Sequence, residues 1–269
     1  MRFSFFNEYS EYGGTMMARI ISVANQKGGV GKTTTTVSLS AALALLGSKV
    51  LIVDGDPQGN ATSGLGVQKS ELSLDIYDVL VNQIPLNDVI VPTSRDNLMI
   101  VPSTIQLAGA EIELTKEERR EQRLKNALEK VKDDYDYILI DCPPSLGHLT
   151  MNAFTASDTV LIPVQCEYYA LEGLSQLMNT ITMVRKHFNH DLRIEGVLLT
   201  MFDARTNLSN EVKDDVIRYF SEKVYKTIIP RNVRLSEAPS YGQSIIDYDP
   251  KSRGAAVYLE LAKEVLANG

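Results

Sequence analysis

Between an apolar run, Ile20-Ile21-Ser22-Val23-Ala24, and a helix-like stretch from Thr34 to Leu46 stands the segment Gln26-Lys27-Gly28-Gly29-Val30-Gly31-Lys32-Thr33-Thr34. A glycine-rich turn joining a strand to a helix is a phosphate cradle. Backbone N–H groups and the positive end of the helix face the anion, and a lysine supplies the counter-charge. The usual pattern G-x-x-x-x-G-K-[ST] needs glycine where this chain has Gln26. In exchange it carries a second lysine, Lys27, at the mouth of the loop.

The rest of the chain alternates in the way such a loop requires. Apolar runs occur at 19–24, 49–53, 98–101, 137–140, 159–164, 194–200 and 226–229. Several are continuous, as parallel strands buried on both faces are. Between them lie helical stripes: Leu124, Leu128 and Val131, behind a Thr115–Glu118 capping box and a Glu121–Lys125 pair; Leu171, Leu174, Met178, Ile181 and Val184; Val212, Val216 and Tyr219; Val257, Leu261 and Val265. This alternation predicts a doubly wound, mostly parallel twisted α/β sheet with helices on both faces. No linker divides it, so 17–269 is expected to form one domain. Residues 1–16 lack the apolar core of a signal peptide and are expected to be a disordered extension or an upstream-start artefact.

Composition narrows the function classes. With 44% hydrophobic residues among 269, the chain can bury a large core. No run is long enough to span a bilayer. Cys142 and Cys166 stand far apart, and His148, His187 and His190 show no ligand spacing, which argues against a disulfide framework or a zinc site. A cytoplasmic protein is expected. The net charge of −7 means that any nucleic-acid site must be a local patch.

Two acidic motifs follow strands. Asp54-Gly55-Asp56-Pro57-Gln58-Gly59-Asn60 follows run 49–53, and Asp141-Cys142-Pro143-Pro144-Ser145 follows run 137–140. In doubly wound folds the carboxyl ends of strands line the ligand crevice. Lys32 is expected to reach the β- and γ-phosphates of ATP, Thr33 to ligate Mg2+, and Thr34 to assist at the α-phosphate. Asp54 is expected in the metal shell, Asp56 as the residue that positions the attacking water, and Asp141 in the Walker B position, holding Mg2+ through water.

Together these motifs resemble the ParA/MinD family of deviant Walker A ATPases, a P-loop NTPase fold. Segments 163–173, 199–207 and 229–239 are similar to its chromosomal, Soj-type branch, and the resemblance runs from about residue 18 to the end. It implies a homodimer that sandwiches two ATP molecules. Residues 27–34 (Lys27, Gly28, Gly29, Val30, Gly31, Lys32, Thr33, Thr34) would wrap the phosphates. Lys27 would reach the partner subunit's nucleotide, in a role like an arginine finger. Segments 200–203 and 229–231 would hold adenine, with Met201, Pro230 and Asn232 as candidates.

Window 223–253 carries six cations, Lys223, Lys226, Arg231, Arg234, Lys251 and Arg253, against the acids Glu237, Asp247 and Asp249. Charge alone fits a solvated basic face as well as a phosphate-binding one. In Soj-type proteins arginines matching Arg205 and Arg234 are implicated in nonspecific DNA binding, and Lys251 and Arg253 extend that set. No helix-turn-helix signature is visible, which disfavours sequence-specific readout.

The resemblance further implies a weak ATPase stimulated by a ParB-type centromere-binding partner, nonspecific double-stranded DNA as substrate surface, nucleoid association, and contact with DnaA. A MinD-like membrane regulator would need a basic amphipathic C-terminal helix, which 260–269 does not supply. An iron protein would need cluster cysteines in another pattern, and a tyrosine kinase of this loop class a C-terminal tyrosine cluster. A non-catalytic scaffold conflicts with intact Lys32, Thr33, Asp56 and Asp141.

Overall fold

The computed structural model describes residues 18–167 and 172–268. The expected extension at 1–16, and Leu171 of the second stripe, lie outside them.

Seven strands form one sheet among the described residues: β1 (Arg19–Val23), β2 (Val50–Asp54), β3 (Val91–Pro92), β4 (Leu98–Val101), β5 (Tyr137–Asp141), β6 (Thr159–Gln165) and β7 (Arg193–Thr200), in the order β3-β4-β2-β5-β1-β6-β7. All pairings are parallel except β3 with β4. Every residue of β2 and of β5 is buried, which explains their continuous apolar sequences. Register then places the motifs. Asp54 pairs with Asp141 across β2 and β5, and Val23 pairs with Asp141 across β1 and β5. The phosphate loop and both acidic motifs therefore leave the sheet at one edge.

The helices are α1 (Lys32–Leu45), α2 (Asn60–Gly64), α3 (Ile76–Leu80), α4 (Leu107–Glu113), α5 (Arg123–Leu128), α6 (His148–Ala156), α7 (Glu172–His187), α8 (Asn207–Phe220), α9 (Val233–Glu237), α10 (Ile245–Tyr248) and α11 (Arg253–Ala267). α3 to α8 cover one face of the sheet; α1, α2 and α9 to α11 cover the other. α11 lays Tyr258, Leu261 and Val265 into the core, and the Tyr258 hydroxyl meets Thr35 Oγ1 of α1 at 3.2 Å. Burial of each such side chain stabilises by roughly 1.5–3 kcal/mol.

Four local expectations are corrected. Segment 226–229 is not a strand: the amides of Lys226 and Thr227 donate to the Glu264 carboxylate of α11, so no ladder forms there. Isolated bridges, Val197 with Val224 and Phe202 with Pro230, flank it. Thr115 caps nothing; its hydroxyl donates to the Ile112 carbonyl, and α5 starts later, at Arg123. Glu121 pairs with Arg120 rather than Lys125. Tyr219 is exposed, because Phe220 takes the core position and Tyr219 stacks edge-on against it from outside.

Candidate active site

The loop between β1 and α1 is shaped by residues on three sides. Asn25 donates from Nδ2 to the Pro163 carbonyl at 2.7 Å and accepts the Lys27 amide on Oδ1 at 3.0 Å. Thr200, at the end of β7, donates to the Val30 carbonyl at 2.8 Å. Gly31 takes the N-cap of α1 at φ 90°, a left-handed conformation that disfavours side chains. Among the described residues no side chain caps α1, so its first amides are open to an anion. The expected phosphate residues from Gly28 to Thr34 all lie on this turn or on the start of α1.

The two lysines differ in setting. Lys32 is buried, and its Nζ donates to the Lys27 carbonyl at 3.2 Å, inside the curve of the loop. Burial lowers its pKa, and the negative charges of Asp141 and Asp56 work against that shift. The Lys27 ammonium instead points out of the curve, 3.5 Å from Oε2 of Glu167, with a third of its side chain exposed. Arg231 approaches the other Glu167 oxygen at 3.7 Å.

The acids occupy the edge beside the loop. Asp141 is fully buried. Its Oδ1 accepts from Thr36 Oγ1 at 3.2 Å, and the Thr33 side chain lies beside this carboxyl. Its Oδ2 has no protein partner among the described residues. A buried carboxylate oxygen left without a partner is costly, and this one beside Thr33 fits a Mg2+ shell. Asp54, expected in the metal shell, has both carboxylate oxygens engaged within the chain. Its Oδ2 accepts from the amide and hydroxyl of Thr62, at 2.8 and 2.6 Å, and its Oδ1 from the Asp56 amide at 3.3 Å. These contacts make it a brace for the Asp56 loop. Burial raises the pKa of both Asp54 and Asp141, and the charge of Asp54 adds to the shift at Asp141. Between them Gly55 is required: a Cβ there would stand 2.8 Å from the Asp141 carbonyl oxygen. Asp56 is itself buried. Its Oδ1 accepts the Gln58 amide at 2.9 Å, and its carbonyl accepts Ser103 Oγ at 2.9 Å.

Sequence reasoning missed Asn25, Thr36, Thr62, Ser103 and Glu167, and named Thr200 only within the adenine segment 200–203. All are polar residues whose partners lie on other elements or loops, so only Asn25, next to the loop, carried any signal of the part it plays. Both cysteines are free and buried. Burial raises the Cys142 thiol above its ordinary range and pushes Cys166 up to about 11, so neither is a nucleophile at neutral pH.

Of the adenine candidates, Met201 and Pro230 come close together through the Phe202–Pro230 bridge, next to Thr200 and hence to the loop. Asn232 has its Oδ1 engaged as the cap of α9, 2.9 Å from the Arg234 amide. A cavity of about 390 Å³ opens beside Thr33 and Thr34, walled by Asn60, Leu235, Pro239 and Ser244. The DNA candidates lie on loops and helix starts. Arg205 is held by Asp203 at 2.7 Å, and Arg234 by Glu237 at 2.8 Å and Asp249 at 3.7 Å. Lys251 and Arg253 are exposed and flank Ser252, the cap of α11.

A family described as an AAA domain matches residues 18–194. The sporulation initiation inhibitor protein Soj of Bacillus subtilis is 66% identical over 253 residues, covering 94% of this chain and all of that protein. The chromosome partitioning protein ParA of Myxococcus xanthus is 53% identical, covering 95% of this chain and 90% of its own. Among solved structures, cobyrinic acid a,c-diamide synthase of Mycobacterium smegmatis with bound ATP analogue and magnesium is 40% identical, with TM-score 0.83, covering 93% of this chain and 95% of its own.

Proposed function

Since the chain belongs to the ParA/MinD family of deviant Walker A ATPases, we propose that it is a DNA-partitioning ATPase whose ATP-bound homodimer grips nonspecific duplex DNA. ATP hydrolysis and use of Mg2+ follow from that membership and from the P-loop fold. The observation that carries the finer reading is the contrast between the two lysines. Lys32 is buried inside the loop, the setting for a lysine that serves the subunit's own phosphates, whereas Lys27 points out of it.

The uncapped first turn of α1 and the amides of Gly28 to Gly31 bind the phosphates, with Lys32 as counter-charge. Asp141 Oδ2 and the Thr33 hydroxyl are the groups that would hold Mg2+, directly or through water. The ion would neutralise developing phosphate charge. Asp56, fixed by Asp54 and Ser103, positions the water for attack. Lys27 of one subunit supplies its charge to the nucleotide of the other, so the catalytic set is complete only in the dimer. Product formation then removes the anion that Lys27 came to meet, and the subunits part.

Arg205, Arg234, Lys251 and Arg253 form the DNA surface in this reading. A ParB-type partner stimulates hydrolysis, and DnaA is a further contact. The apolar side of α11 supports DNA over a membrane surface, because it is consumed in the core against α1. Among the described residues no helix is long and apolar enough to cross a bilayer.

Sedimentation with and without ATP and a random-sequence duplex, across a salt series, tests the reading. A dimer that appears with ATP, and DNA binding that appears only then and falls steeply with salt, is expected. ATP-independent DNA binding, or binding to anionic vesicles in place of DNA, would overturn it.

A further inference from the structure

α4 leaves an apolar stripe uncovered. Its inner side is buried through Leu107, Ala110 and Leu114. Its outer side shows Ile105, Ala108 and Ile112, at positions i, i+3 and i+7 of one helical face, because the turn at Thr104 and Ile105 already makes helical hydrogen bonds to Leu107 and Ala108. Ile105 and Ile112 are 68% and 70% exposed. Tyr219, Val233 and Tyr241 are equally exposed elsewhere, but none is part of a helical run of apolar side chains facing outward.

The helix is tied at both ends to the acid-bearing loops. At its start, Ser103 donates from Oγ to the Asp56 carbonyl, and its amide donates to Thr62 Oγ1 at 2.9 Å, the hydroxyl that holds Asp54. Towards its end, the Glu111 carboxylate accepts the amides of His148 and Leu149 at 2.8 and 3.3 Å. It thereby caps α6 and fixes the far end of the loop that begins at Asp141. α4 therefore sits at the same sheet edge as Lys27, the edge that a second subunit must approach.

We propose that the Ile105–Ala108–Ile112 stripe is covered by a second copy of this chain in the ATP dimer, and that α4 passes this contact to the Asp56 and Asp141 loops. The inference rests on the dimer reading above. A two-fold contact uses the same patch on both subunits, so an apolar stripe is self-complementary where a charged one would repel itself. Glu111, bonded to the start of α6, is then a positioning residue that acts through that helix.

The test is sedimentation velocity of the full chain with Mg2+ and adenosine 5′-(γ-thio)triphosphate, for Ile105→Asp, Ile112→Asp and Ala108→Arg. Tyr219→Asp, on α8, is the control. Each stripe variant is expected to raise the dimer dissociation constant at least ~10-fold, with unchanged affinity of the monomer for N-methylanthraniloyl-ATP. Ala108→Arg removes no core contact and guards against a folding defect. Wild-type dimerisation in all three variants overturns the inference while leaving the dimer reading intact. So does a normal dimer that loses only ParB-type stimulation, since a partner protein would then cover the stripe. A wild-type chain that stays monomeric with nucleotide removes the dimer reading and the stripe contact with it.

Discussion

Glu167 holds Lys27 within its own subunit: Oε2 lies 3.5 Å from Nζ, on the residue that the proposed dimer must send across to the partner. The contact has to break before Lys27 can serve in trans, and Arg231, 3.7 Å from the other oxygen, is placed to keep the carboxylate company when it does. Both side chains are partly exposed, so the pair contributes only roughly 0–1 kcal/mol. Glu167→Gln should therefore leave the melting temperature almost unchanged and tighten the ATP-dependent dimer about 2–10-fold, as two such pairs per dimer no longer need to open. Sedimentation equilibrium would show it. A weaker dimer would mean that Glu167 guides Lys27 rather than restraining it.

Asp56 and Lys32 should separate chemistry from assembly. Asp56→Ala is expected to lower turnover by about 10²–10⁴-fold, the range for a lost general base or water-positioning group, while the ATP dimer persists on DNA. Lys32→Ala should remove nucleotide-dependent dimerisation itself. Phosphate release and sedimentation on the same samples measure both. Normal turnover in Asp56→Ala would take that residue out of the reaction.

The two adjoining carboxyls give the nucleotide-free chain a definite pH response. Burial raises the pKa of Asp54 and of Asp141. An unfolded aspartate loses its proton near pH ~3.9, whereas the folded chain retains these protons to higher pH. In between, the folded state binds more protons, so this contribution to stability is complete below the unfolded pKa and is lost as pH rises through the folded one. Thermal melts from roughly pH 5 to pH 8 should show a falling midpoint without nucleotide, and Asp141→Asn should flatten the fall. An unchanged slope in that variant would count against the buried-charge account.

At the proposed DNA surface, two of the expected arginines are already answered by carboxylates. Asp203 is lowered to about 2 by its hydrogen bonds from Arg205 and stays charged. Phosphate must compete with it. Asp203→Asn should strengthen DNA retention, and Arg205→Glu or Arg234→Glu should weaken it without preventing dimerisation. Removing one phosphate contact should reduce the salt slope by about 1. Identical slopes across these variants would exclude the patch.

The sequence announced the strands that are buried on both faces, because a continuous apolar run such as Tyr137 to Ile140 has few other uses. It hid β3, two residues long, antiparallel and containing Pro92, since so short an edge strand leaves no period to read. It misread 226–229, where composition suits a strand but Glu264, far along the chain, claims the amides. At the site, the glycines, lysines and aspartates were visible because phosphate chemistry demands those types at those spacings. Their orientation was not. That Asp54 faces Thr62, and that Lys27 faces Glu167, depends on strand order and register, which no local pattern encodes.

The contact between Thr35 and Tyr258 joins residues 223 positions apart. It ties the helix that follows the phosphate loop to the helix that ends the described chain. On a ribosome, α1 emerges before α11, and the part of it that α11 covers stays open until α11 follows, roughly 10–45 s later at 5–20 residues per second. Nascent chains thus carry a legible phosphate loop long before they carry a finished one. A ribosome stalled before Tyr258 should display a chain unable to retain ATP, and one that offers chaperones the face that α11 would have closed.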